Sequence, residues 1–109
     1  MTPLQLLKER FERDSVSIRW GGIASDLLRL SAMVHAKTFD PKIFQDILTE
    51  TKLFTEWLAP QVGFEHQEAI LSLQRDLSGV SPEYSSNKDI EANIRAWSGK
   101  VLEISGLAC

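Results

Sequence analysis

The sequence predicts an all-α protein, an up-down-up-down four-helix bundle with a short N-terminal helical arm. Three observations predict it. Apolar residues recur at spacings of three and four through four long segments, which keeps them on one stripe of a helix. Start and stop residues punctuate the segments: Thr2-Pro3, Asp40-Pro41, Ala59-Pro60, Gly79 and Gly106. Connections are short, and short connections make sequence neighbours antiparallel. At 109 residues the chain makes one domain. Residues 1–14 form the arm, 15–105 the four helices and 106–109 a tail.

The arm comes first. Thr2 caps it, and Pro3 suits the first helical position because its missing N–H is an orphan there anyway. Leu4, Leu7 and Phe11 make one apolar edge, while Lys8, Glu9, Arg10, Glu12 and Arg13 face water. The step from Phe11 to Val16 is out of phase with the stripe that follows, so a break is expected near Asp14-Ser15. A helix this short is marginal alone in water. It must dock, either on its own bundle or on a neighbouring chain.

The first long helix runs from Ser15 to about Lys37. Val16, Trp20, Ile23, Leu27, Leu30 and Val34 form its stripe; Arg19, Ser25, Asp26, Arg29 and His35 fall off it. Gly21-Gly22 interrupts the segment without shifting its phase. Interior glycines cost about 1 kcal/mol each relative to Ala, so a bend or close packing of another helix is expected there. The competing reading is a short strand over Val16 to Trp20 ending in a Gly-Gly turn.

The second long helix starts sharply, with Asp40 as N-cap and Pro41 at its first position. Phe44, Ile47, Leu48, Thr51, Phe54 and Leu58 line its inward face, flanked by Ile43 and Trp57. Lys42 and Asp46 are spaced for an i,i+4 ion pair. Asp46 and Glu50 are a carboxylate pair on the polar face, most simply solvated. The residue before Pro60 is pushed out of the α region, which ends the helix. The third helix is expected from about Gly63 to Ser78, with Gly79 as C-cap. Its stripe is Ile70, Leu73 and Leu77, with Phe64 and Leu71 beside it and His66 in phase. Val80 to Ser86 reads as a loop. The last helix starts near Asn87 and runs to Ser105, with Ile90, Ile94, Trp97, Val101 and Ile104 at coiled-coil spacing.

Composition narrows the function. A net charge of −3 argues against a dominant electrostatic grip on nucleic acid or anionic lipid. The charge is uneven: residues 1–37 carry six basic and four acidic residues, a net of +2, and residues 38–109 carry six and eleven, a net of −5. No stretch approaches the ~20 apolar residues of a membrane span. The N-terminus is too charged for a signal peptide. A cytoplasmic location is expected. The single cysteine, Cys109, excludes an intrachain disulfide and a Cys-rich metal site, and reads as a thiol on a frayed tail.

Motifs with chemistry are sparse. Neither His35 nor His66 has an acidic residue three positions before it, as bundle di-iron sites require, and no His-x-x-x-His occurs. No metal and no cofactor is expected. Gly21-Gly22 lacks the spacing of a phosphate loop. His66, on an apolar stripe near a helix start, reads as a core-edge histidine, with a proton switch as the alternative. Arg29 to His35 reads Arg-x5-His. It resembles the Arg-x4-6-His motif of HEPN domains, small α-helical bundles that dimerise and often cleave RNA across the dimer interface. That resemblance implies a catalytic role for Arg29 and His35 on a phosphodiester. It covers seven residues. Leu30 stands where a polar residue usually follows the Arg, and the motif lies in the first long helix rather than late in the bundle.

The leading expectation is a non-enzymatic module acting through protein association, with itself as a homo-oligomer or with a second protein. Its interface would use Leu4, Leu7, Phe11 and Trp57, since a bundle this small leaves apolar surface over. The alternatives are an RNA-cleaving or RNA-binding bundle using Arg29 and His35, and a small-ligand pocket lined by Trp20, Gly21, Gly22 and Trp97.

Overall fold

The computed structural model describes residues 2–36, 39–82 and 88–106, Lys88 in its backbone alone. Five α-helices occur among them: α1 (Pro3–Arg13), α2 (Val16–His35), α3 (Pro41–Leu58), α4 (Gln67–Ser78) and α5 (Lys88–Ser105). The expected end of the first long helix at Lys37, the start of the last near Asn87, and Cys109 with the rest of its tail after Gly106 lie outside the described residues.

Local chemistry sets most helix ends. At the start of α1, the Gln5 N–H donates to Thr2 Oγ1 at 3.1 Å while the Thr2 N–H donates to Gln5 Oε1 at 2.8 Å. This reciprocal capping box satisfies two orphan donors. Arg13 ends α1, Asp14 is extended, and the Ser15 hydroxyl accepts from Ile18 N at the start of α2. The phase break thus falls where the spacing placed it. Arg19 locks the corner: its guanidinium donates to the carbonyl oxygens of Glu12 and Asp14, groups that have no partner inside α1. Asp40 Oδ1 accepts from Lys42 N and Ile43 N at 2.9 and 3.3 Å.

The third long segment differs from the expectation. It opens with a 3-10 turn at Phe64–His66, and α4 begins only at Gln67. Gln67 explains the shift. Its Nε2 donates to the carbonyls of Ala59 and Val62 at 3.2 and 2.7 Å, so the side chain fastens the α3–α4 connection. Val62 is buried as a result. Phe64, expected beside the stripe, is 96% exposed, because the tighter turn throws it off the helical phase.

α2 is the organising helix. It packs most extensively on α5 and next on α3. Ser98 Oγ donates to the Ala24 carbonyl at 2.8 Å, Ser17 Oγ to the Ser105 carbonyl, and His35 lies against Glu91. Rising numbers on α2 meet falling numbers on α5, so the two helices run antiparallel. Ile23, Leu27, Leu30, Phe44, Leu48, Leu58, Ile70, Leu77 and Ile94 are fully buried. Phe11, Trp20, Leu73 and Val101 complete much of the core. Val16, expected on the stripe, is instead a partly exposed first-turn residue. No described helix is long and apolar enough to cross a membrane.

Candidate functional site

α2 passes through Gly21-Gly22 as continuous helix, which removes the strand-and-turn alternative. Close packing does not explain Gly22. A Cβ built there has no neighbour within 4 Å, so nothing in the fold requires a residue without a side chain. The space above it is a groove of about 380 Å³. Ile18, Gly21 and Gly22 form its floor. Leu7 and Phe11 of α1, Phe54 of α3 and Leu102 of α5 make its apolar walls, with Arg10 and Asp14 at the rim.

Phe11 is the hinge of this arrangement. It is 6% exposed and stacks on Phe54 with ring centroids 4.4 Å apart. Trp57 lies 6.0 Å from both rings, and the Arg19 guanidinium sits 5.9 Å from the Phe11 centroid, within cation–π range. The arm therefore docks on its own chain through Phe11. Of the residues expected at an interface, Phe11 and Trp57 are engaged in this aromatic cluster. Leu7 is half-buried at the groove wall, and Leu4, one turn further along the same edge, is 52% exposed. Ile18 on the floor is 51% exposed.

The residues expected around a ligand pocket fall into two places. Gly21 and Gly22 line the groove, whereas Trp20 and Trp97 line a separate cavity of about 50 Å³ with Leu73, Val101 and Ile104. Adjacent helical residues point about 100° apart, which is why Trp20 turns into the core while the glycines face outward. A cavity of that size holds a water or two, not a metabolite. The His66 ring meets Trp20 edge-on, with centroids 6.4 Å apart. That contact makes His66 a core-edge residue at the mouth of α4.

Arg29 and His35 are engaged separately. Arg29 Nη1 pairs with Asp26 Oδ1 at 3.2 Å. His35 Nδ1 lies 3.5 Å from Glu91 Oε2, and Arg95 binds the other Glu91 oxygen at 2.9 Å. Six residues of helix separate the two by about 9 Å along the axis and about 120° around it. Within one copy of the chain they do not converge on a shared point. The expected result is no cleavage of single-stranded RNA by wild-type protein, with or without the His35→Ala change. Metal-independent cleavage lost in the variant would reverse this.

Among the described residues no group of three or more His, Cys, Asp or Glu side chains is placed to hold a metal ion. Comparison of the chain with protein-family models, with curated proteins and with solved structures finds no match.

Proposed function

We propose that this chain is a non-enzymatic association module of the cytoplasm. It is a single up-down-up-down four-helix bundle with a docked N-terminal arm, and it forms a homo-oligomer through the groove over Gly21-Gly22. The observation that supports this most is the open space at Gly22. A helix-interior glycine sacrifices about 1 kcal/mol relative to Ala, and here the fold obtains no packing in return. Sequences tend to break local rules where function needs it. A glycine floor keeps an apolar groove deep enough for a partner's side chains, and Leu4, Leu7 and Ile18 extend that apolar surface outward. A second copy brings the same Leu4-Leu7 edge and the same floor, as an isologous two-fold contact needs.

Gly22→Leu separates folding from association. The added side chain meets no neighbour at its Cβ, and its helix propensity is better by roughly 0.8 kcal/mol. The variant should unfold at higher urea than wild type and sediment as a smaller species. A destabilised variant would mean the glycine serves internal packing. A stabilised variant that still associates would move the interface elsewhere, with the half-buried Trp57 face next to be tested.

A further inference from the structure

We infer that Asp26 of α2 and Glu50 of α3 form a buried proton-binding site, in which two carboxyl groups hold one proton and Arg29 supplies the counter-charge. The site is apart from the groove and independent of the association reading.

Asp26 is 4% exposed. Its Oδ1 accepts from Arg29 Nη1 at 3.2 Å, but its Oδ2 is buried with no donor. A buried carboxylate oxygen left without a donor is costly. The group that faces Asp26 across the helix seam is the Glu50 carboxyl, within hydrogen-bonding reach. Glu50 is therefore turned into the α2–α3 seam rather than solvated beside Asp46, which pairs outward with Lys42 at 3.8 Å. Two ionised carboxylates so placed repel, and burial penalises the Asp26 charge. One shared proton resolves this. The protonated carboxyl donates its O–H to an oxygen of the other, supplying the missing donor. The pair then carries −1, which Arg29 balances with +1. Without the proton the seam holds an uncompensated negative charge.

The charged groups acting on Asp26 are Glu50 from α3 and Arg29 from its own helix. From α5, the other helix packed on α2, the nearest turn offers Ser98, bonded to Ala24. His35 of α2 meets Glu91 of α5, which Arg95 also binds, about 13 Å further along α2 from Asp26. Burial, reinforced by Glu50, pushes the Asp26 acid up to about 8 despite the pull of Arg29. The ligand is thus a proton taken up and released near neutral pH.

The test is a carboxyl-carbon NMR titration of the full-length protein from pH 4 to 9.5, with resonances assigned through the backbone. Asp26 should titrate with a midpoint near 8 instead of 3.8. Glu50→Gln should lower the Asp26 midpoint by at least about one pH unit, since it removes both a charge and an acid partner. An Asp26 resonance that finishes titrating below pH 5 overturns the proposal. So does an elevated Asp26 midpoint that Glu50→Gln leaves unmoved, which would make it a buried acid without a partner. A wild-type Asp26 that titrates in the acid range overturns the proposal even if the variant fails to fold.

Discussion

Phe11→Ala is expected to cost about 3–5 kcal/mol of stability, the range for truncating a buried aromatic, and to release α1 from the bundle. Phe11 is the one buried residue of α1. Its stacking on Phe54 and its contact with Trp57 are the main attachment of a helix too short to persist alone. Of the other side chains on its edge, Leu4 is exposed and Leu7 is half-buried against the core. Hydrogen exchange should show α1 amides losing protection while α2 to α5 keep theirs, and urea unfolding should show the stability loss. A cost under about 1 kcal/mol, far below the range for a buried Phe, would mean that the capping box and the Arg19 clamp hold the arm without it.

Raising the pH from 6 to 8 is expected to destabilise the protein, by up to roughly 3 kcal/mol, because each pH unit is worth about 1.4 kcal/mol per proton. In the unfolded chain Asp26 releases its proton near 3.8, and in the folded chain it keeps it to about 8. Between those values the folded state binds more protons than the unfolded one, so stability falls as pH rises. The contribution is fully present below 3.8 and lost as pH approaches 8. Urea midpoints measured at pH 6, 7 and 8 stay above the isoelectric point near 5.3. Wild type should decline across the series. Asp26→Asn cannot ionise at that position and should be nearly flat. A wild-type midpoint that is level or rises with pH contradicts the shared-proton site.

Helices and their ends were legible because local chemistry decides them. Thr2-Pro3, the Asp14-Ser15 break and Asp40-Pro41 all act within a few residues, and each stands where the spacing placed it. Ala59-Pro60 differs: α3 ends at Leu58, but Ala59 is not pushed out of the α region, and the chain runs on through Pro60 as a 3-10 turn over Ala59–Gln61. The α4 start was not legible, because Gln67 reaches back to the carbonyls of Ala59 and Val62, and no periodicity encodes that reach. Gly21-Gly22 was legible as an anomaly, but its meaning depends on what lies above it. Packing and open space leave the same letters in the sequence. The Asp26–Glu50 pair was not legible either. Asp26 sits off the stripe, one helical edge from Ile23 and Leu30. Which residue of α3 it meets depends on the register of two helices, and the spacing of each helix fixes only its own face.

Association of the Gly21-Gly22 groove with a second copy is tested by sedimentation equilibrium of the whole 109-residue wild-type chain. Loading concentrations should span about 10 to 300 μM, where an interface of modest affinity becomes populated. The mass should rise with concentration from 12.3 kDa toward twice that value, and Gly22→Leu should abolish the rise. A wild-type protein that remains at 12.3 kDa across the whole range contradicts it.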